Sequence, residues 1–393
     1  MAILLLIIIY LAFISLGLPD SILGAAWPAM QNDFQAPLSA AGLLFMVVTS
    51  GTILSSLLSG RVLLRYGTGR VTLVSCFLTA AALFGFFISP TFLWLIFFSI
   101  VLGLGAGSID TGLNHYVANH YKAHHMSWLH CFWGIGATAG PVIMAYHISS
   151  QEGWRSGYLT LAILQFCLVL ILFISLPLWN LKRKQPAHSS GEEAASIEAA
   201  SDPGSHPFRI KGVKLAMLSF LFYVGAEAAV GLWGSSYFVH VKGMDPSTAA
   251  QYISFYYGGI TVGRLITGFV NFLASSRMLI LSGQLISLAG IIFLLLPLPD
   301  GFLLPALVLI GLGFAPIFPC MLHETPVRFG ARASSVIMGY QIAAAYVGSA
   351  LIPAFIGLSA SFISIAIFPF FIIMLILGML YTSEKIHLSL KHK

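Results

Sequence analysis

The chain has 393 residues, of which 58% are hydrophobic and only 8% are charged, and its formal net charge is +6. Soluble domains carry about 25% charged residues, so this composition excludes a water-soluble enzyme or binding domain. The apolar residues occur in blocks of about 20, the length at which a helix crosses the hydrocarbon core of a bilayer. We therefore predict an all-α membrane protein, because helices satisfy every backbone polar group in lipid.

Twelve apolar segments follow one another along the chain, with a polar segment after the sixth. The first segment precedes the first basic residue, Arg61. A signal peptide begins with a basic region, so we expect this segment to be a retained helix. The segments predict helices at about 3–30, 38–60, 71–89, 91–119, 126–149, 155–179, 213–238, 247–272, 277–297, 301–322, 331–357 and 360–382.

The polar segment at residues 180–212 is rich in Pro, Ser, Gly and Glu. It cannot bury enough apolar surface to fold, which predicts a flexible linker. The predicted domains are therefore a six-helix bundle at 1–179, the linker, and a second six-helix bundle at 213–393.

The basic residues are distributed unevenly between the two sides of the predicted membrane. With the N-terminus inside, sixteen of the nineteen Lys and Arg residues fall in cytoplasmic segments. Two fall in outer loops, Arg155 and Lys242, and Arg264 lies within a helix. Because basic loops stay cytoplasmic, we predict a protein of the cell (inner) membrane with both termini in the cytoplasm. This bias explains the net charge without a nucleic-acid partner.

The two halves of the chain match at related positions. Residues Asp20–Gly24 (Asp-x-x-x-Gly) match Glu227–Gly231 (Glu-x-x-x-Gly) at an offset of 207, and Gly103–Gly105 match Gly311–Gly313 at 208. The two offsets differ by a single residue, so nearly the same register relates both pairs. Parallel repeats around a central solute site are the architecture of major facilitator transporters. The repeat predicts two pseudo-symmetric bundles with the solute site between them.

Four ionisable residues lie within otherwise apolar predicted helices: Asp20, Asp110, Glu227 and Arg264. A charge at the bilayer centre costs at least about 2.5 kcal/mol, so each must face a cavity or a partner. Asp20 directly follows Pro19, which frees a backbone carbonyl one turn earlier. We predict that the three carboxylates couple transport to protons. The alternatives are a carboxylate at a helix kink or one that packs against a cation.

Polar and aromatic residues near the carboxylates predict contacts to a solute. Asp110 and Asn114 share one helix face, and the small residues from Gly103 to Ser108 allow close helix approach. The predicted solute-binding residues are Asn114, His130, Trp133, Trp233 and Gln341. Packing explains such aromatics at least as often, and the interface belt is the expected place of Trp27 and Trp128.

Four short segments resemble the fucose permease group of sugar–proton symporters within the major facilitator superfamily: Pro19–Leu23, Asp110–His115, Phe132–Ala137 and Gly263–Arg264. The resemblance covers nearly the whole chain and implies a proton-coupled sugar transporter that works by alternating access. It gives Asp20 and Asp110 the roles of the group's two carboxylates, and Asn114 that of its amide. Asp110 replaces a glutamate, and His130 and Trp133 replace amides, so fucose is not the expected sugar.

The superfamily's motif between the second and third helices is partly retained. Arg65 and Arg70 are present, but Leu64 occupies the usual aspartate position. The resemblance implies a gating role for the two arginines. We expect a structural or gating role for Arg264 as well.

Two other function classes compete with sugar uptake. Proton-coupled efflux of drugs or metabolites is the first, since Gly136–Pro141 partly resembles a motif of drug–proton antiporters; close helix packing explains the same residues. A membrane enzyme is the second, but HExxH, GxSxG and a Gly-rich phosphate loop are all missing.

Neither a cofactor nor a metal is expected from the clustered histidines His115, His120, His124, His125 and His130. Three of them, His120, His124 and His125, fall in a predicted cytoplasmic loop, and no acidic or cysteine ligand accompanies these three. The expected partners are a small solute, protons and the bilayer, and the expected state is a monomer.

Overall fold

The structure is a computed structural model that describes residues 2–121, 123–182, 210–270, 273–297 and 299–390. These residues form α-helices and two short 3-10 helices, and none of them is in a strand. The all-helical fold predicted from composition is therefore confirmed. Residues 183–209, the larger part of the predicted linker, lie outside the described residues.

Thirteen α-helices are present in the described residues. In chain order they are α1 (Ala2–Phe34), α2 (Ala40–Tyr66), α3 (Thr68–Ile88), α4 (Phe92–His120), α5 (Ala123–Ser149), α6 (Gly153–Lys182), α7 (Val213–Lys242), α8 (Pro246–Val270), α9 (Ser276–Leu295), α10 (Leu303–Phe314), α11 (Ile317–Phe329), α12 (Ala331–Phe362) and α13 (Phe368–Leu390).

The predicted helices coincide with these elements, but α2 extends to Tyr66, beyond its predicted end at about 60, and further differences occur near the C-terminus. The helix predicted at about 301–322 is two helices, because the chain turns at Ala315 and Pro316 and a proline cannot continue the backbone ladder. The start predicted at about 360 is too early, since α12 extends to Phe362. Ten spans among the described residues are long and apolar enough to cross a membrane, with α10 and α11 counted as one.

The described chain divides into two compact units. The first contains α1–α6 together with Gly231–Gly258 and Ala354–Ala366. The second contains α7 up to Val230, residues Gly259–Pro353 and the chain from Ile367 onward. The predicted domain boundaries at 179 and 213 stay a prediction.

The core of the first unit lies among α1, α4, α5 and α6. It includes the fully or almost fully buried side chains of Ile9, Phe13, Leu113, Leu129 and Leu172. Neighbouring helices approach closely where a glycine, which has no Cβ, faces backbone atoms of the next helix. A Cβ at Gly103 or at Gly107 of α4 would overlap a carbonyl oxygen of α2. The close approach predicted for this glycine-rich segment is thereby confirmed.

The ends of α1, α3 and α6 meet at one end of the first unit, which we call the far end. There the indole Nε1 of Trp154 donates a hydrogen bond of 2.7 Å to Oδ2 of Asp33. The Arg155 guanidinium donates one of 2.9 Å to the carbonyl oxygen of Ser89. These bonds join the start of α6 to the end of α1 and to the residue that follows α3. The charge bias predicts that the far end lies outside the cell.

Candidate functional site

Close packing of α5 on α1 positions the first part of the candidate site. A Cβ at Gly17 would overlap the carbonyl oxygen of Trp133, and one at Gly136 would overlap that of Ile14. A Cβ at Gly140 would lie 2.6 Å from the carbonyl oxygen of Leu18. Gly136 and Gly140 thus serve helix packing, which explains the antiporter-like motif structurally.

Asp20 lies one turn beyond this contact, and its side chain is exposed between buried neighbours. The indole Nε1 of Trp133 donates a hydrogen bond of 2.8 Å to its Oδ2. Pro19 frees the carbonyl oxygen of Ser15, which instead accepts a 2.8 Å hydrogen bond from Nε2 of the buried Gln165. Because Gln165 satisfies this group, α1 continues through Pro19 without a break.

Asp110 and Asn114 form the second part of the site, on α4. The Asn114 amide donates hydrogen bonds to Oδ1 of Asp110 at 2.8 Å and to its carbonyl oxygen at 3.0 Å. Both side chains are half-buried. The negative charges of Asp20 and Asp110 are close enough to interact. The structure therefore brings these two predicted carboxylates into one electrostatic neighbourhood.

His130 and Trp133 lie one turn apart on α5. The imidazole of His130 is exposed and meets the ring of Phe13 edge-on, with centroids 5.9 Å apart at 87°. Trp133 donates its hydrogen bond to Asp20, which lies on α1, the helix that also carries Phe13. Both side chains thus contact the same face of α1, Trp133 at the Asp20 carboxylate and His130 at Phe13, two helical turns earlier.

Glu227 has a different environment, in the second unit. Its Oε1 lies 3.5 Å from Nη2 of Arg264, and its Oε2 accepts a short hydrogen bond from the Tyr223 hydroxyl. The two charged side chains are 17% and 19% exposed, so the pair is largely removed from solvent. Arg264, for which we expected a structural or gating role, is therefore the counter-ion of the seventh-helix carboxylate.

The remaining predicted solute contacts are packed inside the protein. Gln341 is 2% exposed, and its Oε1 accepts a 2.9 Å hydrogen bond from Thr325 in the second unit. Trp233 is fully buried in the first unit, with its ring against Gly357. The belt interpretation of Trp27 is wrong, because that side chain is fully buried; Trp128 is 52% exposed.

Arg65 and Arg70 flank the tight turn between α2 and α3. Gly67 makes this turn at φ +81°, a conformation that favours glycine. Both arginine side chains are exposed, and neither forms an ion pair within the part of the chain that the structure describes. Leu64, at the usual aspartate position, is exposed and offers them no charge.

Two contributors to the site were missed by the sequence analysis. Tyr223 lies one helical turn before Glu227, so helical spacing alone could have paired them. Gln165 is an amide in the middle of the apolar α6, and such a residue needs a partner in the membrane. Among the described residues, no group of three or more His, Cys, Asp or Glu side chains is placed to hold a metal ion.

Comparison with known proteins assigns this arrangement to a family. The family model described as Major Facilitator Superfamily matches residues 9–353. The chain belongs to the Major Facilitator Superfamily. This membership agrees with the helical fold and with the motif resemblance within the same superfamily.

Relatives within and beyond bacteria resemble the chain over most of its length. It is 23% identical over 355 residues to a glucose/mannose transporter of Bacillus subtilis (strain 168), covering 89% of this chain and 86% of the relative. It is 25% identical over 310 residues to sodium-dependent glucose transporter 1A of Mus musculus, covering 71% and 72%. A D-xylose–proton symporter structure superimposes with a TM-score of 0.70 at 12% identity, covering 95% and 96%, which supports the shared fold.

Proposed function

We propose that this protein is a secondary transporter that carries a neutral sugar across the cell (inner) membrane by alternating access, coupled to protons. Membership of the superfamily supports the transport mechanism. The glucose transporters among its relatives support a hexose as the solute. The proposal includes the orientation predicted by the charge bias, with both termini cytoplasmic, a monomeric state, and no catalytic activity.

The observation that carries proton coupling is the pair of carboxylates in the first unit. Asp20 accepts from an indole N–H and Asp110 from an amide N–H, and neither forms an ion pair with a described residue. Two negative charges held by neutral donors in an apolar bundle repel each other. A bound proton removes one charge and so changes which conformation is favoured.

The neighbouring side chains suit a neutral, polyhydroxylated solute. We assign hydrogen bonds to sugar hydroxyls to Asn114 and His130, and ring contact to Trp133, because such pockets combine apolar walls with a few placed polar groups. Trp233 and Gln341 are proposed to support solute binding through packing, Trp233 within the first unit and Gln341 within the second. Arg65, Arg70 and Arg264 are proposed to stabilise particular conformations of the transport cycle.

Glu227 has a distinct proposed role. Position alone predicts a proton-coupling role for Glu227, like that of Asp20 and Asp110. Because Glu227 forms an ion pair with Arg264, we propose instead that it holds a helix contact within the second unit during the transport cycle.

Uptake of radiolabelled D-glucose into proteoliposomes tests this function. We expect a pH gradient, acidic outside, to drive accumulation, and a protonophore to abolish it. Asp110→Asn should lose this accumulation but retain sugar exchange under counterflow, because the amide keeps the shape without the titrating charge. Asp33→Asn is the matched control, since Asp33 also accepts from an indole but lies at the far end of α1.

Three results would contradict parts of the proposal. Accumulation driven by a sodium gradient and indifferent to pH would exclude proton coupling but keep sugar transport. Accumulation by Asp110→Asn equal to the wild type would remove Asp110 from coupling. Absence of saturable transport for glucose, galactose, mannose and xylose would exclude a sugar as the transported solute.

A further inference from the structure

A cavity of about 330 Å³ opens at the far end of the first unit. It lies among the ends of α1, α7 and α12 and the loop after α1. The six residues that line it are Gln31, Pro37, Leu38, His240, Ala360 and Ser361. The backbone N–H of Ser39 donates a 3.0 Å hydrogen bond to Oγ of Ser361, which ties the loop to α12.

The lining offers hydrogen bonds but no permanent charge. The side-chain oxygen Oε1 of Gln31 is buried and has no hydrogen-bond partner among the described residues. This oxygen is shielded from the cavity, so the part of Gln31 that lines the cavity contributes a polar surface without a competing side-chain contact at Oε1. His240 adds an imidazole, and the Ser361 hydroxyl retains a second lone pair. This chemistry selects a neutral molecule with several hydroxyl groups.

The size of the cavity points to one small molecule. Ligand pockets range from about 300 to 1,000 Å³, and this cavity is at the lower end of that range. Pro37, Leu38 and Ala360 supply a short apolar wall beside the polar groups. A single sugar ring, with one apolar face and a polar edge, matches both properties.

The cavity shares a helix face with the first candidate carboxylate. Asp20, Gly24, Trp27 and Gln31 are spaced by four, three and four residues, which places them in one stripe along α1. Within this stripe a Cβ at Gly24 would overlap the carbonyl oxygen of Gly231, a residue of α7 in the same unit.

Trp27 also fills the space between the cavity and Asp20, next to the close contact of α1 and α7 at Gly24. Its side chain is fully buried, and its indole Nε1 has no hydrogen-bond partner among the described residues. The backbone contact at Gly24 and the buried Trp27 therefore both lie between Gln31 and Asp20. The cavity is on the solvent side of this closed stretch.

We propose that this cavity is an outer access site, which binds the transported sugar before the helices separate at Gly24 and admit it toward Asp20. The site rests on the proposed sugar transport and adds a second place for the same solute class. Gln31 and His240 recognise the solute from the outside only. Solute that arrives from the cytoplasm does not need them for binding.

Transport measured from each face of the membrane tests the site. Uptake of radiolabelled D-glucose is compared in whole cells and in inside-out vesicles. We expect Gln31→Leu to raise KM in cells about fivefold, the effect of losing one hydrogen bond, with an unchanged KM in vesicles. His240→Ala provides a second variant at an exposed position. Gln251→Leu is the matched control, because Gln251 is an exposed glutamine of the same unit outside the cavity.

The outcomes separate this site from the proposed function. A wild-type protein that transports glucose, with KM unchanged in both cavity variants, overturns the access site alone. An equal rise of KM on both faces also overturns it, because that indicates a general structural effect. An effect confined to vesicles overturns the outer placement. If the wild type transports none of the sugars, the proposed function fails, and the site fails with it as a sugar site.

Discussion

The two repeat-related carboxylates, Asp20 and Glu227, occupy matched positions but have different partners. Asp20 accepts a hydrogen bond from a neutral indole, whereas Glu227 is paired with Arg264 and bonded to Tyr223. At the same offset, the counterparts of Arg264 and Tyr223 in the first half are Leu57 and Leu16. A repeated backbone thus carries an asymmetric set of charges.

This asymmetry assigns proton binding to one carboxylate and a fixed helix contact to the other, whereas two carboxylates with the same partners would behave alike. A carboxylate with a fixed cation nearby keeps its negative charge, because a proton must compete with that cation. A carboxylate held by neutral donors can lose its charge to a proton without leaving an unpaired cation. We therefore expect the first half to respond to pH and the second half to be held by its ion pair.

Among the variants that test this difference, removal of the Arg264 cation should have the largest effect on the protein. We expect Arg264→Leu to destabilise the protein by about 3 kcal/mol, because it removes the cation that pairs with the largely buried Glu227. The double variant Arg264→Leu/Glu227→Gln should recover most of this loss, which a double-mutant cycle of unfolding in detergent would measure.

Arg277→Leu is the control for that cycle. Arg277 pairs with Glu384 at 2.7 Å, but its side chain is 41% exposed. Exposed pairs contribute little to stability because solvent screens their charges, so this variant should change stability little. Equal losses from Arg264→Leu and Arg277→Leu would contradict the distinction between a buried and an exposed pair.

Neutralising each matched carboxylate should give the second largest effect. Asp20→Asn should abolish pH-driven sugar accumulation, whereas Glu227→Gln should slow transport but leave accumulation dependent on the pH gradient. Proteoliposome uptake at several external pH values would distinguish them. The asymmetry would be refuted by a Glu227→Gln variant that loses pH dependence while Asp20→Asn keeps it.

Removal of one neutral donor from each carboxylate should have a smaller effect. A hydrogen bond to a charged group contributes about 1.5–3 kcal/mol, so Trp133→Phe should lower pH-driven uptake at least about tenfold. Tyr223→Phe should lower it only about two- to threefold, because Arg264 still holds Glu227. Initial rates under one fixed gradient provide the measurement, and the reverse order of effects would contradict the prediction.

The smallest effect is expected at Asp245, a loop carboxylate that is also held by neutral donors. Its Oδ1 accepts from the backbone N–H groups of Ser247 and Thr248, each at 3.0 Å, at the start of α8. Side-chain hydrogen bonds from these two residues are the main reason that the pKa of Asp245 is lowered to about 2. Asp245 therefore stays ionised at physiological pH and cannot be a coupling group.

Substitutions at Asp245 test its role as a helix cap. Asp245→Ala should cost about 1 kcal/mol at neutral pH. The ionised carboxylate stabilises the fold above its unfolded-state pKa near 4, and this contribution is lost as pH falls toward 2. The difference between wild type and Asp245→Ala in thermal unfolding should shrink over that range. Asp245→Asn should transport normally, since asparagine also caps helices.

Sequence patterns identified much of the candidate site but not its partners. The apolar setting of Asp20, Asp110 and Glu227 marked them as unusual, because an intramembrane charge is costly wherever it lies. The spacing of Asp110 and Asn114 predicted their shared face, and the structure adds the hydrogen bond. Trp27 was assigned to the wrong environment, since an aromatic near a helix end suits either the membrane interface or the interior.

The sequence by itself determined the helical class, the order of the segments and the repeat, because long apolar blocks and matched motifs are local features of the chain. Only the tertiary structure decided that Asp20 meets Trp133, that Glu227 meets Arg264 and that Gln165 satisfies the carbonyl of Ser15. These contacts join residues 113, 37 and 150 positions apart. Helix packing selects such distant pairs, and no local periodicity encodes them.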